Sequence, residues 1–300
     1  LDVPRAEPVV QEGIYHPEAG CVPGLSAYTA EYIDPRKPTV GIWFFQTHWL
    51  NGNLDHVDAL IREVESLGAN VLPVFSMRFK DRALGNRGSD DIVQDFFMNH
   101  EKPRIDVLIS AMSMSMTLTR PDYSEIFPGL NVPVLQAMTT LNPFAAWKES
   151  AQGMAVMDVT FQAAQPEFDG SLITMLVATR EEDSVDPVTG ALLSRLRPIP
   201  DRVAALASLA VKWAKLRRKA NSEKRIAVVF HHYPPRNDRI GCAAGLDTFA
   251  SVKLLLDAMA EQGYRIDRLY SDGDELADEM LQRMTCDRRW LTSHQMAARA

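Results

Sequence analysis

Apolar residues run without interruption through TVGIWFF (39–45), and a strand apolar at every position is one covered on both faces. A polar stretch, QTHWLNGN, follows. Leu54, Val57, Leu60, Ile61, Val64 and Leu67 then recur at helical spacing, predicting an amphipathic helix opened by Asn53 and stopped by Gly68. NVLPVFSM supplies the next strand, which completes a βαβ unit and implies parallel strands joined by a right-handed crossover. DDIVQDFFMN predicts a further helix, and IDVLISAMS and VPVLQAM further strands. The serine-broken run VLISAMSMSM reads as a buried strand and its exit.

Around this unit the pattern changes. Residues 1–36 are rich in Pro and Gly without sustained periodicity, and read as a connector wrapping onto the body. The first α/β unit covers 37–145. Residues 146–200 carry apolar runs interrupted by Pro166 and Gly170, and are expected to be β-rich. A long helix, DRVAALASLAVKWAKLRRK, then leads into a second, incomplete α/β unit over 201–300. Its parts are the strand RIAVVF, a loop, a helix with Phe249, Val252, Leu255, Leu256 and Met259 on one face, and the strand RIDRLY. The predicted fold class is therefore α/β: two Rossmann-like parallel-sheet βαβ units joined by a β-rich segment and a long helix. Open sheets of this kind bind ligands at the carboxyl ends of their strands, where QTHWLNGN and HHYPPRNDRIGCAAG both fall.

Composition narrows the function. A net charge of -7 argues against nucleic acid as a partner. With no apolar run of 18 residues, no membrane span is predicted. Cys21, Cys242 and Cys286 form no CxxC pair, which fits a reducing, cytoplasmic setting without a disulfide framework. The chain opens on Leu1 rather than Met and shows no signal peptide, so it reads as a piece of something longer or as a trimmed chain. No GxxxxGK[ST], strand-linked GxGxxG, GxSxG or HExxH occurs, so energy from ATP has to come through another chain.

Candidate chemistry lies in the strand-end loops. His231 and His232 are adjacent after a strand and should point to opposite faces. They suit metal ligation or proton transfer, or else anchor the loop by hydrogen bonds. Arg236 and Arg239 offer forks to carboxylates, or pair with Asp238. GCAAG (241–245) reads as a run of small residues opening a helix. His48, Trp49 and Asn53 could face a flat ligand or cap the core. Glu167, after Pro166 and beside Phe168, is expected to be partly desolvated and so suited to taking up protons; a surface turn is the alternative.

These stretches resemble a known family, the large subunits of cobaltochelatase (CobN type) and of magnesium chelatase (H type). The likeness rests on GIYHP (13–17), VGIWFFQTHWLNGN (40–53), DALIREVESLGANVLPVF (58–75), QPEFDG (165–170), HHYPPRNDRIGCAAGLDTFASV (231–252) and TCDRRWLT (285–292). The His-x-Tyr-Pro-Pro-Arg form of the loop tilts the resemblance toward the cobalt branch. It implies an interior fragment of a subunit inserting Co2+ into a corrin precursor, hydrogenobyrinic acid a,c-diamide, with Mg2+ and protoporphyrin as the alternative. ATP would be used by AAA+ and integrin-like partner subunits. Insertion needs a base for two pyrrole protons, transient metal ligands, and donors for peripheral groups. The roles expected on that basis are catalysis by Glu167 and His231, metal contact by His231, His232 and Glu167, and substrate binding by His48, Trp49, Asn53, Arg236 and Arg239. Of the two histidines the family pattern favours His231. A tetrapyrrole-binding protein without insertion activity and a periplasmic-binding-like receptor are the competing readings.

Overall fold

The computed structural model describes residues 9–299 apart from Pro23, Met284 and Trp290, and the chain divides into two compact units, up to Arg218 and from Lys219 onward. The described residues of the first unit form the strands β1 (Gly13–His16), β2 (Gly20–Val22), β3 (Thr39–Phe45), β4 (Asn70–Ser76), β5 (Met98–Asn99), β6 (Lys102–Pro103), β7 (Val107–Ser110), β8 (Val134–Thr140), β9 (Leu172–Val185) and β10 (Leu192–Pro198). Eight of them make one sheet in the order β10-β9-β8-β7-β3-β4-β1-β2. β3, β4, β7, β8 and β9 run parallel, while β1 and β10 pair antiparallel at the two sides. The α/β class with a largely parallel central sheet is thus the one predicted.

β3 explains its own centrality. Val40, Ile42 and Phe44 join one apolar cluster and Trp43 another, so both pleat faces are covered. The helix Asp55–Ser66 lays Val57, Leu60, Ile61 and Val64 on the first face. The opposite face is crowded at Gly41. A Cβ there would lie 2.8 Å from Ile105 Cδ1 and 3.2 Å from Phe97 Cε1.

Several boundaries differ from expectation. Part of the segment 1–36 is structured rather than a connector: β1 extends the sheet edge on β4, and Leu25–Tyr32 is a helix. A strand edge left bare on β4 supplies the reason, since β1 takes up its free hydrogen-bonding groups. Within 146–200, residues 156–168 form a continuous helical run that includes Pro166. Only β9 and β10 are strands there, and both belong to the main sheet. The long helix Pro200–Arg218 packs on that same sheet through Val203, Leu206, Ala207, Ala210, Val211 and Ala214. Arg218 Nε closes its end on the Asp106 carboxylate at 2.8 Å.

The second unit has helices Thr248–Glu261, Gly273–Gln282 and Ser293–Arg299, but no strand among its described residues. Arg225–Phe230 and Arg265–Tyr270, expected as strands, carry no sheet ladder. Ile226 and Val229 are 53% and 89% exposed. Two such runs without further neighbours cannot close a buried parallel sheet. No helix of the described residues is long and apolar enough to cross a membrane.

Candidate functional site

In the first unit the parallel strands stand in the order β4-β3-β7-β8-β9, so the chain reverses direction of winding between β3 and β7. This is the switch-point arrangement in which a crevice opens beyond the strand ends. The residues lining the small cavity there include Trp43, Arg78, Ser110, Met112, Met114, Gln136 and Asp169. Trp43 Nε1 donates to Ser76 Oγ at 2.8 Å, which fixes the last residue of β4. Arg78, two positions further on, is only 6% exposed, and its Nη2 donates to the Ser113 carbonyl. Burial pushes its guanidinium down to about 10, against the opposing pull of the Asp169 carboxylate, so it stays charged at neutral pH. Gln136, fully buried on β8, donates from Nε2 to the Met112 carbonyl at 2.9 Å.

The loop after β7 is held from its far side. The Asp169 carboxylate accepts from Ser115 Oγ at 2.6 Å, from Met116 N at 2.7 Å and from Thr117 N at 3.0 Å. Gln165 Oε1 accepts from Ser115 N at 3.1 Å. Met114, at the loop's crest, adopts φ +67°, a left-handed conformation uncommon for a side chain of its size. The segments following β7 and β8 also leave apolar side chains in solvent: Met114, Leu118, Leu141, Val156, Met157 and Phe168 are all exposed.

The predicted residues of this unit fall in four places. His48 lies 4.9 Å from His56 in an edge-to-face contact, and burial pushes the two imidazoles down to about 4 and about 3. Both are neutral at physiological pH. Trp49 stacks on Phe75 with ring centroids 4.7 Å apart, packing against the core. Asn53 Oδ1 accepts from Leu196 N at 2.9 Å, tying this loop to β10. These three stand close in the chain, but the contacts they make are internal. Glu167 is exposed, contrary to the expected desolvation. The short helix buries its neighbour Pro166 and turns both Glu167 and Phe168 outward.

In the second unit the loop His231–Gly241 is held by a clamp from the stretch 285–289. Asn237 N donates to Asp287 Oδ2 at 3.1 Å, and Thr285 Oγ1 donates to Asn237 Oδ1 at 2.7 Å. Arg289 grips the same carboxylate with two bonds of 2.9 and 2.8 Å, holding Asp287 well below the usual carboxylate range. His232 Nε2 lies 2.8 Å from the Arg236 carbonyl, an anchoring bond. His231 uses its backbone carbonyl to accept from Gly241 N at 2.7 Å and leaves its side chain exposed. Arg236 forms a two-bond pair with Asp238, and Arg239 Nη1 lies 3.7 Å from Cys242 Sγ. GCAAG lies in exposed turns rather than opening a helix. The helix begins after Asp247, whose side chain accepts from Ala250 N.

Among the described residues, no three His, Cys, Asp or Glu side chains converge as a metal site requires. Sequence reasoning missed Arg78, Gln136 and Asp169. A cation directly after the strand NVLPVFS was the one signal available for Arg78.

An open parallel sheet with a crevice at its switch point makes the first unit an α/β domain, and the second unit carries a clamped loop of His, Pro and Arg. The whole chain, residues 1–300, matches the CobN/Magnesium Chelatase family, and the protein belongs to it. It is 32% identical over 281 residues to the aerobic cobaltochelatase subunit CobN of Sinorhizobium sp, covering 90% of this chain and 21% of that protein. It is 29% identical over 287 residues to the H-type magnesium-chelatase subunit of Rhodobacter capsulatus, covering 90% of this chain and 23% of that one. The catalytic subunit of cobaltochelatase from Mycobacterium tuberculosis is similar in structure, with a TM-score of 0.68, 28% identity and cover of 91% of this chain and 21% of that chain. The chain thus spans about a fifth of the length of these relatives.

Proposed function

We propose that this chain is part of the large subunit of a cobaltochelatase, which inserts Co2+ into a corrin precursor, hydrogenobyrinic acid a,c-diamide. The observation that carries the reading is the loop His231–Gly241 with its His-x-Tyr-Pro-Pro-Arg pattern, held in one shape by Asp287 while the His231 imidazole faces solvent. Metal insertion removes two pyrrole protons and strips water from the metal, and an unencumbered imidazole suits both steps. His231 is assigned the proton-accepting and metal-delivering role. His232 is spent on anchoring the loop and supports His231 from behind. Arg236 and Arg239 supply donors to the peripheral groups of the macrocycle. Glu167, exposed at the rim of the first unit, is assigned to proton uptake there.

ATP hydrolysis belongs to AAA+ and integrin-like partner subunits, in the cytoplasm. The 29% identity to a magnesium-chelatase subunit favours the second reading, insertion of Mg2+ into protoporphyrin. Titrating the full-length protein with a free corrin or porphyrin, then adding metal, ATP and the partner subunits, tests the reading. Macrocycle binding followed by ATP-dependent metal insertion supports it. Binding without insertion makes the protein a tetrapyrrole carrier, and no binding removes it from this chemistry.

A further inference from the structure

One corner of the first unit has a small core and an apolar surface. Among the described residues Met138, Leu176 and Ile199 are buried in it, with Trp147, Met154 and Ala163 partly buried around them. The segment 141–159, which follows β8, covers this corner yet turns apolar side chains outward. Leu141, Val156, Met157 and Val159 are exposed, Val156 by 78%, and the helix Phe144–Glu149 buries none of its residues. Asp158 accepts from Thr140 Oγ1 and from Leu141 N, so Leu141 and the turn 156–159 stand side by side. The same segment walls a cavity of about 590 Å³, in which Phe144, Trp147 and Lys148 are joined by Ile199 and Arg202.

The charges of that cavity decide its occupant. Lys148 Nζ lies over the Phe144 ring, 5.7 Å from its centroid, and the Arg202 guanidinium lies over Trp147 at 5.5 Å. Among the described residues no carboxylate pairs with Lys148. Asp201, the acid on the cavity lining, reaches Arg202 only at 4.0 Å, with its side chain 81% exposed. The Glu181 carboxylate is engaged elsewhere, accepting from Phe144 N at 2.6 Å and Thr179 Oγ1 at 2.8 Å. Two cations thus stand over aromatic rings with little internal counter-charge. A basic segment would be repelled there, and a purely apolar one would desolvate both cations without return. A segment with carboxylates beside apolar side chains answers the whole surface. We infer that the face formed by 141–159 and Arg202 is the docking site of a separate polypeptide, which sets apolar side chains on Leu141, Val156 and Met157 and carboxylates on Lys148 and Arg202. Trp, Phe, Met and Arg on one patch are the composition by which separate proteins associate, whereas an interface buried permanently is more uniformly apolar.

The test uses the full-length protein and two fluorescent amphipathic peptides of equal length, one of leucine and glutamate and one of leucine and lysine, titrated by anisotropy. The leucine–glutamate peptide should bind. Reversing both cations, Lys148→Glu with Arg202→Glu, should weaken it about tenfold, since two attractions become two repulsions at a solvated rim. Location is read separately with Val156→Cys, a change at an exposed position, labelled by a maleimide and followed by mass spectrometry at that site. The cysteine should label readily in the protein alone, and the leucine–glutamate peptide should slow it. Absence of binding by that peptide, or an affinity unchanged by the double reversal, overturns the inference. Equal protection of the cysteine by the leucine–lysine peptide also overturns it, because charge then selects nothing. A cysteine that is unreactive before any peptide is added shows the face to be covered within the subunit itself, and rules out a separate polypeptide.

Discussion

Ser115 and Asp169 lie 54 residues apart in sequence and are joined by a hydrogen bond of 2.6 Å from Ser115 Oγ to the carboxylate. Through this bond and two backbone amides, the end of a short helix shapes the loop that closes the switch-point crevice. Asp169→Ala strands one hydroxyl and two N–H groups together. The expected loss is about 3 kcal/mol of stability, from the usual cost of unpaired buried donors. Denaturant unfolding measures it, and limited proteolysis should show new cleavage within 112–118. Asp169→Asn, which keeps an acceptor oxygen, should lose less.

His48 and His56 make the first unit acid-sensitive. Their folded pKa values, about 4 and about 3, lie below the ordinary value of 6.5. The unfolded chain therefore binds more protons once the pH drops below 6.5, and stability falls with it. The slope is about 1.4 kcal/mol per pH unit for each histidine, down to its folded pKa. His56 has both ring nitrogens buried without partners, so His56→Leu should flatten this slope with little loss of stability at neutral pH. Thermal unfolding between pH 7 and pH 5 checks both statements.

The clamp on the second unit's loop is testable at one amide. Asp287→Asn removes the charge that Arg289 grips and weakens the acceptor of Asn237 N. Hydrogen exchange at Asn237 should accelerate, while amides of β3 and β4 keep their protection. The carboxylate's lowered pKa means the clamp persists above the ordinary carboxylate pKa and is lost only as pH falls through the folded value.

Gly273 lets the helix that it opens approach the helix Thr248–Glu261. A Cβ at this position would lie 2.6 Å from Ala250 N and 3.0 Å from the carbonyl carbon of Phe249, and backbone atoms cannot swing aside. Gly273→Ala should cost about 1–3 kcal/mol, as overpacking does. Exchange rates along the helix Thr248–Glu261 report it.

Legibility followed the range of the forces involved. TVGIWFF announces a two-face-buried strand because every position is apolar, and the helix after it announces itself by spacing. Both are local signals, and both formed. The apolar runs RIAVVF and RIDRLY send the same local signal, yet a ladder needs partners, and they carry none. Arg78 and Gln136 come together from two strands through one loop, a relation that no window of sequence contains. Glu167 read as desolvated because its sequence neighbours are apolar, but a helical turn separates adjacent side chains, so Pro166 is buried and Glu167 exposed. His232 anchors the loop on the Arg236 carbonyl and His231 is exposed, but the strand whose alternation was expected to separate them does not form.

The central claim is cobalt insertion, and one measurement reaches it most directly. The full-length subunit, supplied with its ATPase partners and ATP, is offered Co2+ with hydrogenobyrinic acid a,c-diamide and, separately, Mg2+ with protoporphyrin. Turnover of the corrin precursor with cobalt, abolished by His231→Ala, is the predicted result. Turnover of protoporphyrin with magnesium alone would contradict it.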